Sequence, residues 1–317
     1  MKGLRIVFMG TPDFATAILR KLDDGPHDVV GVVTAPDRQA GRGQKLRASS
    51  VKSEALLRNL PILQPKRLRH DGFHAALKAL KADLFIVVAF RMLPESVWSM
   101  PNLGTVNLHA SLLPAYRGAA PINWAIMNGE EITGLTTFMI NERIDEGAIL
   151  LQEEMSISAD EDAGSLHDRM MVIGSELVEK TVDGLASGTL SPRIQPMESS
   201  YPKAPKLTPS NRRIDWSLSA ERIRNHIRGL SPYPAAWTVI ELPDGQSIDC
   251  KIFKVSVLES SDIPCGTIRT DEKTFVHAGT NNQDLSIEEL QLSGKRRMGV
   301  RDLLNGFTFP EGSRFSG

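Results

Sequence analysis

The stretch Leu4-Arg5-Ile6-Val7-Phe8-Met9-Gly10-Thr11-Pro12-Asp13 is typical of a buried strand that turns directly into a helix. The apolar run has the length of one strand, Gly10 to Asp13 supplies the turn, and a helical spacing of apolar residues begins at Phe14. The same alternation continues, with apolar runs at 29–33, 84–89 and 105–108 and helical segments at 51–57 and 73–80. This pattern predicts an α/β fold, a Rossmann-like doubly wound parallel sheet covered on both faces. A strand over 135–140 and a long helix over 165–185 complete it.

The composition changes near residue 200. Three prolines within 201–209 exclude a helix or a central strand there and predict an extended linker. One helix over 220–228 follows, and then short segments rich in β-forming residues, separated by Gly, Asp and Pro turns. They predict a small antiparallel C-terminal β-barrel, OB-like in type. We therefore expect a domain over 1–200, a linker over 201–213 and a barrel domain over 214–317.

The charges and cysteines exclude several classes of protein. The 317 residues contain 37 Lys and Arg against 38 Asp and Glu, a net charge of −1, which excludes a globally basic nucleic-acid coat but not a local basic patch. Two cysteines are too few for a disulfide framework or a thiolate zinc site, so we expect two reduced, buried thiols and no metal. No signal peptide or apolar span of about 20 residues is present, which favours a cytoplasmic protein.

The most informative polar residues end the fourth predicted strand. Asn107, His109 and Ser111 are spaced by two, so on a strand they project from one face. A loop with proline and glycine follows, which places them at the carboxyl edge of the sheet, where open α/β folds bind ligands. Each polar group at a buried strand end needs a partner. The trio therefore indicates either a functional site or a hydrogen-bond network that holds the loop.

These residue types suit acyl transfer. An Asn amide is an uncharged donor for a developing oxyanion, and a His can donate to it or exchange a proton near neutral pH. No nucleophile elbow surrounds Ser111, so direct transfer through a tetrahedral intermediate fits better than covalent catalysis. Asp145 supplies a carboxylate after strand 135–140, and Gly147 permits a tight turn that brings it back toward His109.

The first turn argues against a nicotinamide cofactor. Gly10-Thr11-Pro12-Asp13-Phe14 lacks the G-x-G-x-x-G spacing, and Pro12 removes a backbone donor that a pyrophosphate needs. A plain strand-to-helix turn with Asp13 at the helix N-terminus is favoured instead.

Two motifs resemble the signature of the folate-dependent formyltransferases: Asn107-x-His109-x-Ser111-Leu112-Leu113-Pro114 with Arg117-Gly118-Ala119-Ala120-Pro121-Ile122, and Asp145-x-Gly147. Further stretches resemble the branch of that family that acts on methionyl-tRNA, namely 8–14, 36–46, 214–217 and 228–234. The resemblance covers essentially the whole chain. One departure is Ala89-Phe90-Arg91-Met92-Leu93-Pro94, where the family more often has Tyr-Gly and one extra residue next to the pterin pocket.

The resemblance implies a reaction and a set of roles. It makes 1–200 a formyltransferase catalytic domain and 214–317 a tRNA-binding domain. Asn107, His109 and Asp145 become the catalytic set, and Ser111, Leu112, Leu113 and Pro114 become part of the folate site. The formyl group of the co-substrate 10-formyltetrahydrofolate then passes to the α-amino group of methionyl-initiator tRNA, giving N-formylmethionyl-tRNA for translation initiation.

A basic loop supports a tRNA partner. Residues 38–52 carry five basic side chains and no acid, with Gly41 and Gly43 flanking Arg42. Such a run is usually a solvated surface, but in the resembled family this loop contacts the tRNA acceptor end. We expect tRNA contacts from Arg38, Arg42, Lys45 and, in the linker, Lys206. We also expect phosphate contacts from three further basic clusters, in the linker, the C-terminal helix and the end of the last apolar run: Lys203, Arg212 and Arg213; Arg222, Arg224 and Arg228; and Lys295, Arg296 and Arg297.

Two alternatives stay open. One is a formyltransferase for a small amine, such as glycinamide ribotide or an amino sugar nucleotide. The basic loop argues against both acceptors, and the second domain argues against the glycinamide ribotide enzyme. The other is a non-catalytic RNA-binding protein on the same fold, which would be expected to have lost one of Asn107, His109 or Asp145. In either case we expect a monomer.

Overall fold

The apolar stretch that opens the chain forms strand β1 (Arg5–Gly10) in a computed structural model that describes residues 3–40, 45–196 and 200–316. The chain forms two compact units. The N-terminal unit comprises Met1–Pro121, Thr133–Ser156 and His167–Lys203, and the C-terminal unit comprises Ile122–Ile132, Ile157–Leu166 and Ala204–Gly317. The boundary after Lys203 lies within the segment 201–213 that we predicted to be a linker.

Strands and helices alternate up to residue 204. After β1 the strands are β2 (Asp28–Val33), β3 (Arg38–Ala40), β4 (Lys45–Arg47), β5 (Ile62–Leu63), β6 (Leu84–Val88), β7 (Thr105–His109), β8 (Arg117–Gly118), β9 (Ile132–Met139), β10 (Ile149–Ser156) and β11 (Lys203–Ala204). The helices are α1 (Asp13–Asp23), α2 (Ser50–Leu57), α3 (Asp71–Ala79), α4 (Glu95–Trp98), α5 (Pro121–Met127) and α6 (Ala163–Ser187).

Seven strands form the sheet of the N-terminal unit, in the order β10-β9-β7-β6-β1-β2-β5. The five strands from β7 to β5 run parallel, which confirms the predicted Rossmann-like sheet. Strand β9 runs antiparallel to β7, with Asn107 opposite Phe138. This edge of the sheet is therefore not parallel, and the sequence could not show it, because the apolar pattern of a buried strand carries no information about its direction.

The central strands are buried on both faces. Every residue of β6 is buried, and Phe8 and Phe85 are among the largest fully buried side chains. Helix α6 lies close to the strands next to the site, since a Cβ on Gly174 would lie 2.9 Å from Cδ2 of Leu108 and 3.5 Å from Cδ1 of Leu135. This close packing holds β7 and β9 in fixed positions, and the site lies at their ends.

The C-terminal unit contains the predicted barrel. After α7 (Ala220–Leu230) come β12 (Ala236–Glu241), β13 (Ser247–Val257), β14 (Ile268–Thr270), β15 (Val276–Ala278), β16 (Leu285–Leu292), β17 (Met298–Gly299), α8 (Val300–Leu304) and β18 (Arg314–Ser316). The antiparallel order is β14-β15-β16-β13-β12-β18, and an antiparallel bridge between Thr267 and Arg314 brings the two ends of that order together. The barrel prediction is confirmed, although β17, α8 and β18 had not been predicted.

The segment over 204–216 packs on this barrel. A single 3₁₀ turn spans Ser210–Arg212, the Ile214 N–H donates to the Trp237 carbonyl at 2.8 Å, and the Trp216 ring stacks on Phe315 at 4.7 Å between centroids. This proline-rich segment lacks a long run of regular backbone hydrogen bonds. Its contacts with β12 and β18 therefore determine its path.

The two cysteines differ in their burial. Cys250 is buried, and burial raises the pKa of its thiol to about 12. Cys265 is exposed, so the prediction of two buried thiols is wrong for this residue, which follows the exposed loop 259–262. None of the helices in the described ranges is long and apolar enough to cross a membrane.

Candidate active site

Asn107 and His109 lie on strand β7, two residues apart and therefore on one face of the sheet. Asn107 is half-buried, and its side-chain amide makes no hydrogen bond with any residue that the structure describes. His109 is 6 % exposed. The free amide of Asn107 is thus a donor at the end of the strand that is available to a ligand.

The ring of His109 lies between two acceptors. Its Nε2 is 2.9 Å from the Tyr116 carbonyl oxygen, and because a carbonyl only accepts, Nε2 carries a proton. Its Nδ1 faces Asp145, at 3.9 Å from Oδ2, which is an ion-pair distance when the ring is charged and too long for a hydrogen bond. Catalytic contacts of this kind are often long in the absence of substrate.

Asp145 reaches the site because of a tight connection between β9 and β10. Its backbone has φ of 55°, in the left-handed region, and its Oδ2 accepts the Gly118 N–H at 2.9 Å. A Cβ on Gly147 would lie 1.6 Å from the Met139 carbonyl oxygen, so only glycine fits there. The predicted approach of Asp145 to His109 thus depends on a turn that the sequence marks by its glycine.

The loop that follows β7 is held by its own polar groups. The Ser111 hydroxyl donates to the Ala115 carbonyl at 2.6 Å, and Thr136 Oγ1 donates to the Ser111 carbonyl at 2.6 Å. Leu113 is 3 % exposed and packs against Phe138 and Ile149. Ser111 and Leu113 thus hold the loop, while Leu112 and Pro114 are half-buried and the peptide Leu113–Pro114 is cis.

Gln195 is a site residue that the sequence analysis missed. It is 3 % exposed, and its Nε2 donates to the carbonyls of Asp145 at 3.0 Å and Gly147 at 2.7 Å. Its Oε1 accepts from Nε and Nη2 of Arg117, at 3.2 and 2.6 Å. No motif or periodic pattern surrounds this residue in the sequence.

A cavity of about 330 Å³ lies at the carboxyl ends of β1, β2 and β6. Among the residues that the structure describes, three arginines and no acid line it: Arg38, Arg47 and Arg91. Arg91, the departure from the resembled family, donates to the carbonyls of Pro65 and Lys66. Burial lowers the pKa of Arg91, as does the nearby charge of Arg38. This edge of the sheet is suited to an anionic ligand.

The residues predicted to contact tRNA lie in several parts of the chain, and not all of them are available to a ligand. Arg42 lies outside the described residues, and Lys45 is placed only by its backbone in β4. Arg38 in the N-terminal unit and Lys206 in the C-terminal unit are both exposed. Two other arginines have roles inside the C-terminal unit, since Arg224 pairs with Asp160 and Glu221, and Arg228 donates to Asn225 and the Glu161 carbonyl. These last two are therefore not free for phosphate.

Within residues 3–40, 45–196 and 200–316, no group of three or more His, Cys, Asp and Glu side chains is placed to hold a metal ion. The polar groups at the end of β7 are instead an amide, an imidazole and a carboxylate, a set suited to stabilising an oxyanion and moving a proton.

The comparisons with known proteins concern the family to which the chain belongs. The family model described as formyl transferase matches residues 4–182, and the model described as its C-terminal domain matches residues 206–308. A methionyl-tRNA formyltransferase of Flavobacterium johnsoniae is 50 % identical over 312 residues, covering 98 % of both chains. One of Bacteroides thetaiotaomicron is 46 % identical over 319 residues, covering 99 % of both.

A solved structure has the same fold. HypX from Aquifex aeolicus in complex with tetrahydrofolic acid matches with a TM-score of 0.65 and 18 % identity, over 95 % of this chain and 47 % of that chain. At this identity the match concerns the fold alone. The two family models and the full-length relatives together lead to one conclusion: the chain belongs to the formyl transferase family, in the branch of the methionyl-tRNA formyltransferases.

Proposed function

We propose that the protein transfers the formyl group of 10-formyltetrahydrofolate to the α-amino group of methionyl-initiator tRNA. The observation that carries this proposal is the similarity along the entire chain, at 46 to 50 % identity, to relatives named methionyl-tRNA formyltransferase. It includes the C-terminal unit, which an enzyme that formylates glycinamide ribotide does not require. The product is N-formylmethionyl-tRNA, used in translation initiation, and the expected place of action is the cytoplasm, as a monomer.

The site supports this reaction through three groups. The Asn107 amide, which has no described partner, donates to the oxyanion that forms when the amine attacks the formyl carbon. Nδ1 of His109 lies 3.9 Å from Oδ2 of Asp145, too far for a hydrogen bond, so a proton on Nδ1 can be shared between the oxyanion and the carboxylate. The Asp145 carboxylate orients the ring. The folate lies along Ser111, Leu112, Leu113 and Pro114.

The atoms balance without a covalent enzyme intermediate. The amine nitrogen forms a bond to the formyl carbon, the bond from that carbon to N10 of the folate breaks, and the amine loses one proton. The same number of protons reaches N10, so the products are the formamide and tetrahydrofolate. Holding the two substrates together supplies much of the acceleration, since the step becomes effectively unimolecular.

The hairpin of β3 and β4 supports a polyanionic partner. Arg38 and Arg47 are cross-strand partners in this hairpin, and like charges directly opposite each other destabilise a ladder. A nearby polyanion removes this repulsion. We propose that Arg38, Arg42 and Lys45 contact the acceptor end of the tRNA, and that Lys206 contacts its backbone.

An acceptor panel tests the proposal. Labelled 10-formyltetrahydrofolate is supplied with methionyl-initiator tRNA, glycinamide ribotide or a UDP-amino sugar, and the label in each acceptor is measured. We expect transfer to the tRNA alone. Labelling of a small amine with an inert tRNA would contradict the proposal and favour the first alternative. Binding of the tRNA without any transfer would favour the RNA-binding alternative.

A further inference from the structure

The Gln195 side chain connects two segments that each hold one side of the His109–Asp145 pair. On one side are residues 145–147, which carry the carboxylate. On the other side is the segment of Tyr116 to Gly118, which supplies the carbonyl bonded to His109 and the N–H bonded to Asp145. Gln195 donates to the first segment and accepts from Arg117 in the second.

The orientation of this amide is determined by its partners. The guanidinium of Arg117 only donates, so it must face Oε1, and the carbonyls of Asp145 and Gly147 only accept, so they must face Nε2. Both protons and both lone pairs of the amide are used. A buried amide with all its hydrogen bonds made stabilises one arrangement of its neighbours, because any other arrangement leaves a polar group unpaired.

The Asp145 connection has few other anchors. Residues 141–144 are exposed, and Asp145 itself holds a left-handed backbone conformation that costs free energy in a residue with a side chain. A second contact to this connection is the ion pair of Arg117 with Glu146, at 3.4 Å. Gln195 is in turn placed by two hydrogen bonds of 2.7 Å between the backbones of Ile149 and Arg193.

We propose that Gln195 is a positioning residue for formyl transfer, acting by fixing the Asp145 carboxylate beside His109. The inference rests on the proposed function, because it assigns Asp145 a part in the reaction. A hydrogen bond to Nδ1 needs the carboxylate about 1 Å closer than it lies in this structure. By holding the connection that carries Asp145, Gln195 keeps the carboxylate close enough to His109 for a movement of about 1 Å to form this hydrogen bond.

Two substitutions of Gln195 distinguish the role of its amide oxygen from that of its amide nitrogen. Gln195→Met keeps the length of the side chain and removes all four hydrogen bonds. Gln195→Glu keeps acceptors for Arg117 and loses both donors to the carbonyls of 145 and 147. We expect each variant to lower kcat for methionyl-tRNA formylation by roughly 10- to 100-fold, with the KM values for tRNA and folate changed less than about 3-fold. Gln283→Met, which removes a side-chain hydrogen bond in the C-terminal unit, is the control and should leave kcat unchanged.

A double-mutant cycle distinguishes positioning from general stability. In the Asp145→Ala background, Gln195→Met should lower kcat by less than about 3-fold further, since the carboxylate that it positions is gone. An equal loss of kcat in both backgrounds would overturn the proposal, as would an unchanged kcat in Gln195→Met. If both Gln195 variants fail to fold, Arg117→Lys replaces them: a loss in kcat alone supports the proposal, and an unchanged kcat overturns it. Wild-type protein that transfers no formyl group to tRNA would instead contradict the proposed function.

Discussion

Asn107 differs from its neighbours in the site because its half-buried amide has no described partner. Removing it therefore breaks no hydrogen bond with a residue that the structure describes. We predict that Asn107→Ala keeps the Tm of the wild type and lowers kcat for formyl transfer by about 10²- to 10³-fold, as for other single oxyanion donors. Steady-state kinetics and thermal unfolding check this. Asn305→Ala, at an exposed position at the end of α8, should change neither quantity, and an unchanged kcat in Asn107→Ala would remove this residue from the mechanism.

The two cysteines should react at very different rates. The thiolate is the nucleophile, burial raises the pKa of Cys250 to about 12, and Cys265 is exposed. We predict that an aromatic disulfide reagent modifies one thiol per chain in native protein at pH 8 and both in urea. Cys265→Ser should abolish the native reaction. Two reactive thiols in the native protein would contradict the burial of Cys250.

At the scale of residues, spacing located Asn107, His109 and Asp145 but not Gln195. The first two are neighbours on one strand, and Gly147 marks the turn of the third. Gln195 lies 50 residues from Asp145 and 78 from Arg117, and its partners are mostly backbone carbonyls and a guanidinium. Contacts of this kind depend on the tertiary fold and leave no periodic pattern in the sequence.

The connection between β9 and β10 is an element with one indispensable glycine. The Met139 N–H donates to the Ala148 carbonyl at 2.9 Å, which brings the backbone of Met139 against Gly147. We predict that Gly147→Ala lowers the free energy of unfolding by at least about 3 kcal/mol, measured by urea denaturation, because the new methyl group overlaps a backbone oxygen. Gly306→Ala, where a Cβ meets nothing within 4 Å, is the matched control. Equal stability of the two variants would contradict the geometry of this turn.

Helix α2 is joined to α1 by a buried carboxylate. Glu54 accepts from Arg20 at 2.6 Å and from Arg58 at 2.8 Å, and these bonds, led by that of Arg20, lower the pKa of Glu54 from 4.5 to about 2. A lowered acid pKa stabilises the fold above the unfolded value, and this contribution is lost as the pH falls through the folded value. It corresponds to about 3 kcal/mol at pH 7.

The substitution Glu54→Gln tests how much the buried carboxylate stabilises the contact between α1 and α2. We predict that the variant is less stable than the wild type by about 3 kcal/mol at pH 7, and that the difference narrows by roughly half or slightly more between pH 5 and pH 3. Urea unfolding at several pH values measures it. The exposed Glu142→Gln is the control, with a small effect at every pH. A difference that does not change with pH would contradict the lowered pKa.

At the scale of elements, the apolar pattern predicted four of the five parallel strands, β1, β2, β6 and β7, to within a residue or two, and it missed the two-residue strand β5. It did so because fully buried strands read as continuous apolar runs. The direction of β9 and the short elements β17, α8 and β18 were not predictable in this way. These elements depend on pairing with distant strands, as the bridge between Thr267 and Arg314 illustrates.

The whole molecule combines a near-neutral charge with local basic surfaces. The net charge of −1 excludes attraction of any polyanion by net charge alone, while the β3–β4 hairpin places Arg38 opposite Arg47. The two units have separate sheets and cores, and both are matched by models of the same family. This organisation fits an enzyme whose chemistry resides in the N-terminal unit and whose acceptor is a macromolecule.

Single-turnover formyl transfer from 10-formyltetrahydrofolate to methionyl-initiator tRNA, compared between the wild type, His109→Ala and Asp145→Ala, tests the central claim most directly. Label recovered on the methionine α-amino group reports the chemical step, and circular dichroism confirms that each variant is folded. The expected result is rapid transfer by the wild type and a loss of at least about 10²-fold in each variant, as for other acid–base groups. Transfer at the wild-type rate by either folded variant, or no transfer by the wild type, would contradict the account.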